Sequence, residues 1–112
     1  MLLNDVRRSF GQSNLYLDNK LNDLAQSYSA TQIQYNFVGH YDMMGRGPGQ
    51  RAEAAGILEG VGENIAVNNN LTNAQLMLQR SPIHLRNMVS PLWTRVGLGI
   101  VQNPNQMYYL TQ

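Results

Sequence analysis

Gly60-Val61-Gly62-Glu63-Asn64-Ile65-Ala66-Val67-Asn68-Asn69-Asn70 is the stretch on which the fold turns. It mixes the β-type residues Val61, Ile65 and Val67 with glycine, and predicts one strand around Asn64 to Val67. The three asparagines that follow read as a turn. Helical patterns flank this strand on both sides. Downstream, Thr72 is expected to cap a helix holding Ala74, Leu76, Met77 and Leu78. Pro82 interrupts it, Ile83 to Val89 adds one or two further turns, and Pro91 closes the piece. Upstream, Gln50 to Ala55 has high helix propensity and Gly56 ends it. Gly39 to Gly49 holds four glycines and Pro48, so it reads as a loop.

Farther out, Leu2, Leu3, Val6 and Phe10 sit at helical spacing, with Arg7 and Arg8 placed on the opposite side and Gly11 as the stop. Leu15-Tyr16-Leu17 is a short extended link, and Asp18 is a natural N-cap. Leu21, Leu24, Ala25 and Tyr28 then give the i, i+3, i+4, i+7 face of a helix from about Asn19 to Tyr35. At the other end, Arg95–Val101 and Met107–Thr111 flank the turn Asn103-Pro104-Asn105 as a hairpin. Helices before and after a small antiparallel sheet make the class α+β, one domain over residues 1–112.

The composition narrows the function classes. Net charge is +1 and only 13% of residues are charged, so the basic excess of a nucleic-acid binder is absent. Arg7 and Arg8 are the one adjacent basic pair. No apolar run approaches the length of a transmembrane helix. Met1 to Phe10 carries Asn4, Asp5, Arg7 and Arg8 and does not read as a signal-peptide core. With no cysteine, disulfides, thiolate catalysis and Cys-ligated zinc are excluded. Asn and Gln together number 23 of 112 residues, so the polar surface relies on amides rather than charge.

Few residues can carry chemistry. The histidines are His40, in the glycine-rich loop, and His84, just after Pro82. Glu63 stands at the entry to the expected strand. All three fall at loops and element ends, where functional groups collect on a scaffold. Each also has a plain structural reading: Glu63 accepting hydrogen bonds at a tight turn, the histidines as polar structural residues. Asn64 and Asn87 are expected to satisfy backbone groups, and Arg51 to pair with Asp42 or loop carbonyls. Trp93 and the six methionines are expected in the core, and Tyr16, Tyr28, Tyr35, Tyr108 and Tyr109 half-buried.

Taken in order, the local strings carry more. They are Gly39-His40-Tyr41-Asp42, then Arg51-Ala52-Glu53-Ala54-Ala55-Gly56, then Gly62-Glu63-Asn64-Ile65-Ala66. Ser81-Pro82-Ile83-His84-Leu85-Arg86-Asn87 and Val96-Gly97-Leu98-Gly99 complete the series. It resembles the CAP superfamily, or SCP domain, of cysteine-rich secretory, antigen-5 and pathogenesis-related proteins, in its short cysteine-free bacterial-type form. The resemblance implies a three-layer α-β-α sandwich with a small antiparallel sheet between helices. It also implies a shared cleft of two histidines and two glutamates. His40, Glu63 and His84 take three of those positions, and Ser81 stands at the fourth.

Three functions follow as expectations. The first is a non-catalytic binding or interaction domain, whose cleft holds a divalent metal or a small, lipid- or sterol-like ligand, or presents a surface to a protein partner. Its sign is an apolar groove beside the His40/His84 cleft. The second is a structural subunit of a larger assembly. The third, ranked lowest, is a metal-dependent hydrolase with His40 and His84 as ligands of Zn²⁺ or another divalent ion and Glu63 as ligand or base. Family members are mostly secreted or at the cell surface; this chain, with no signal-peptide core, leaves an intracellular or processed form open.

Overall fold

The computed structural model describes residues 1–112. The chain opens with helix α1 (Leu2–Ser9), a two-residue strand β1 (Tyr16–Leu17) and the long helix α2 (Asn19–Gln34). A loop leads to α3 (Pro48–Ala54), then to strand β2 (Ile65–Asn68), α4 (Leu71–Gln79) and α5 (Pro82–Met88). The C-terminal part is β3 (Arg95–Val96), β4 (Gly99–Gln102) and β5 (Tyr108–Thr111).

The main sheet is antiparallel in the order β2-β5-β4. Register places Ala66 opposite Leu110 and Ile100 opposite the same residue from the other side. Because strand side chains alternate, Ala66 and Leu110 face one way and Thr111 the other. Ala66 and Leu110 enter the core with Leu3, Val6, Ala74, Leu78 and Met88, from α1, α4 and α5. On the opposite face α2 packs through Ser29, whose hydroxyl meets Thr111 Oγ1 at 2.8 Å. Two helical layers thus enclose a small sheet: the α+β class that the element pattern implies, in the three-layer sandwich that the resemblance implies.

Close approach of α2 to the sheet needs glycine. A Cβ on Gly99 would lie 2.2 Å from the carbonyl of Ala25, and one on Gly97 2.0 Å from that of Leu21. These are helix–strand contacts that only a bare backbone permits.

Several local readings change. Arg95–Val101 is not one strand: β3 pairs parallel with β1, and after Gly97 and Leu98 the chain passes to β4, which pairs with β5. The Leu98 N–H donates to Asn22 Oδ1 at 2.9 Å, so the interruption belongs to the α2 contact. Asn70, not Thr72, caps α4: its side chain accepts from the Asn73 N–H at 3.0 Å.

Arg7 does not sit on an outer face. It is 2% exposed and donates to three carbonyls, Ser13 at 2.8 Å, Met88 at 2.7 Å and Ser90 at 2.9 Å. It ties α1 to the C-terminal end of α5 and thus fixes the element that carries His84. Of the methionines, Met88 is in the core while Met1, Met43, Met44 and Met77 are exposed. Tyr28 and Tyr109 are buried, and Tyr16 and Tyr35 exposed, rather than all half-buried.

Candidate functional site

His40 comes from the loop between α2 and α3, and Asp42 shapes that loop. Its Oδ1 accepts the N–H groups of Met44 and Arg46, each at 2.9 Å, and its Oδ2 accepts from Arg46 Nε at 2.8 Å. The Arg46 N–H, first among these contacts, holds the Asp42 carboxyl below its usual range. Asp42 therefore pairs with Arg46 and leaves Arg51 to another partner.

That partner is Glu63. Arg51 Nη1 donates to Glu63 Oε2 and Arg51 Nη2 to Glu63 Oε1, both at 2.9 Å, in a fork between two side chains each 7% exposed. Arg51 Nη2 also donates to the His40 carbonyl at 2.7 Å. The guanidinium lies over the Tyr28 ring, its Cζ 3.4 Å from the centroid. Tyr28 hydroxyl donates to the Gly39 carbonyl, and burial pushes its pKa up. One arginine therefore joins α2, α3, the His40 loop and the segment leading into β2.

His40 Nδ1 lies 2.9 Å from Glu63 Oε1. His84 Nδ1 lies 2.8 Å from Ser81 Oγ, at the residue that opens α5. In both rings Nδ1 is engaged, which leaves each Nε2 for a ligand. His40, Glu63, Asn64, His84, Asn87 and Trp93 all line one open cleft of about 440 Å³. Ser81 reaches this cleft through its bond to His84.

Asn64 and Asn87 form the floor. Asn87 Nδ2 donates to Asn64 Oδ1 at 3.1 Å, and Trp93 Nε1 donates to Asn87 Oδ1 at 3.1 Å. Asn64 Nδ2 donates to the His84 carbonyl at 3.2 Å. The two amides thus serve side chains as much as backbone. Trp93 packs against the core but is only partly buried, because it forms the wall of the cleft.

Glu63 is not free to join a divalent cation in this arrangement; the donors left for one are the two imidazole Nε2 atoms. Both Glu63 oxygens are taken, and a metal at the carboxylate would stand beside the Arg51 guanidinium. No group of three or more His, Asp or Glu side chains is placed to hold a metal ion. Ser81 stands where the resemblance implies a second glutamate, and Glu63, the one carboxylate of the set, is paired with Arg51.

Behind the cleft lies a feature that no motif announces. A cavity of about 460 Å³ runs under the segment from Ile57 to Asn64. Leu21, Leu24, Ile57, Val61 and Met88 supply apolar wall, and Trp93 stands between this cavity and the cleft. Its walls come from both ends of the chain, which explains why local sequence patterns miss it.

Comparison with known proteins agrees with this architecture. The model of the CAP, cysteine-rich secretory protein family matches residues 1–112. An outer surface protein from Borrelia burgdorferi superposes with a TM-score of 0.89 at 16% identity, over 97% of this chain and 82% of that one. An extracellular protein containing an SCP domain, from Bacillus anthracis str. Ames, gives 0.78 at 22% identity. There the alignment covers 97% of this chain and 36% of the other. No curated protein sequence matches. With the fold, the ordered motifs and the whole-length match in agreement, the chain belongs to the CAP, or cysteine-rich secretory protein, family.

Proposed function

We propose that this CAP domain is a non-catalytic binding module that takes a small apolar molecule into the cavity behind the His40/His84 cleft. The observation that carries this reading is the cavity itself, about 460 Å³ and walled by Leu21, Leu24, Ile57, Val61, Met88 and Trp93. Pockets of this size and lining suit a small ligand, with a few polar groups setting its orientation. Glu63, Asn64, Asn87 and Trp93 line both cavity and cleft, so a ligand's polar end meets the amides and histidines.

Hydrolysis gains no support from the same geometry. A general base must lie within reach of the proton it removes. Glu63 accepts three hydrogen bonds, two from Arg51 and one from His40, which fits an anchor of the His40 loop better than a proton acceptor.

Calorimetric titration with dodecanoic acid, 1-dodecanol and a sterol tests the proposal. Saturable binding of at least one is expected, weakened about tenfold, or ~1.4 kcal/mol, by Leu24→Phe, which narrows the cavity. Absence of binding for every apolar probe, or affinity indifferent to Leu24→Phe, would refute it.

A further inference from the structure

The main sheet has two edges, and the chain treats them differently. On β4 the backbone of Ile100 points away from β5, and the Gln26 amide takes both of its groups. Gln26 Oε1 accepts the Ile100 N–H at 2.9 Å and Nε2 donates to the Ile100 carbonyl at 3.2 Å. Asn22 and Ser29, on the same side of α2, bond to Leu98 and Gly99. A helix face rich in short amides and hydroxyls thus closes that edge.

The edge at β2 is left open. Asn64 and Gln112 exchange backbone bonds at 2.7 and 2.9 Å. Antiparallel pairing alternates, so Ala66 and Asn68 also bond toward β5, while Ile65 and Val67 turn their N–H and C=O groups outward. No loop, cap or side-chain hydrogen bond ends on those four groups. Ile65 and Val67 are only half-buried. The strand, Ile-Ala-Val-Asn, contains no charge, proline or glycine, the usual means of blunting an edge.

We infer that the outer edge of β2 is a homodimer interface, on which a second copy of this chain lays its own β2 antiparallel. A twofold axis at Ala66 brings Ile65 opposite Val67 of the partner subunit, and Val67 opposite Ile65 of the partner subunit. Each of these pairs exchanges two backbone bonds, four in all. The same pairs place two apolar contacts on one face of a continuous six-stranded sheet. The second copy is the occupant because β2 is its own complement: the outward groups repeat at the spacing a twofold requires. An uncharged strand also does not repel its copy. The interface is independent of the cavity and its ligand.

Sedimentation equilibrium of the full chain, up to about 0.5 mM, tests this. A concentration-dependent rise to twice the monomer mass is expected, with Ile65 and Val67 amides protected from hydrogen exchange only in concentrated samples. Val67→Pro removes an N–H that the monomer does not use, so it should weaken association at least about tenfold at unchanged monomer melting. Val67→Lys, which puts like charges across the axis, should do the same if the proline variant does not fold. A monomer at every concentration, or a dimer indifferent to a folded Val67 variant, would overturn the inference. So would an edge that captures extended peptides while the chain stays monomeric.

Discussion

Arg7 and Arg51 are both buried, and they illustrate what single residues reveal. Arg7 follows Leu3 by four positions, which places it on the same helical face, so its burial is legible in the spacing. Charge alone argued for the outer side, but three carbonyls satisfy the guanidinium. Arg51 is different. Asp42 and Glu63 lie nine and twelve residues away across loops, and no local rule chooses between them. The choice comes from Asp42 folding back on its own loop. Because Arg51 and Glu63 are each 7% exposed, Glu63→Gln leaves a buried cation without its counter-charge. It should cost about 3–5 kcal/mol in urea unfolding. The same pairing predicts that zinc titrated at neutral pH gives no site tighter than about 0.1 mM. A stronger zinc site abolished by His40→Ala would contradict this and show that the imidazoles hold the ion.

At the scale of elements, periodicity located α1 and α2, propensity α3, and cap and proline signals α4 and α5, and the hairpin of β4 and β5 followed from its turn. Caps and strand limits were less legible. Both Asn70 and Thr72 are good N-cap types, and only the backbone path into α4 selects Asn70. Asn70→Ala should therefore cost about 1 kcal/mol in thermal or urea unfolding, and Thr72→Ala clearly less. The split between β3 and β4 escaped because β3 answers to β1, nearly eighty residues earlier. Asp18 and Asp42 give the elements an acid dependence. The Leu21 N–H at the start of α2 is the first cause that lowers the Asp18 carboxyl, as the Arg46 N–H is for Asp42. A carboxyl lowered on folding contributes stability above its unfolded pKa, and that contribution disappears as pH falls through the folded value. Melting temperature should hold from neutral pH to about 4 and fall below it, and Asp18→Asn with Asp42→Asn should flatten that fall.

Across the whole molecule, the low charge and abundant amides find a common explanation. Asn4 bridges both backbone groups of Leu15, Gln26 both of Ile100, and Gln112 Nε2 donates to Gln75 Oε1. Asn64 and Asn87 connect the His84 carbonyl to Trp93. Amides provide donor and acceptor together, so they close edges and seams without burying charge. The cleft residues were legible because short motifs mark them. The cavity was not, since Leu21, Ile57, Met88 and Trp93 meet only when the chain has folded. Trp93 is the single tryptophan and stands in the cavity wall, which makes its emission a direct reporter. The decisive measurement is Trp93 fluorescence during titration with an apolar probe such as 1-dodecanol. A saturable shift to shorter wavelength, lost in Leu24→Phe, is the predicted result; emission unchanged by every apolar probe would contradict the cavity as a binding site.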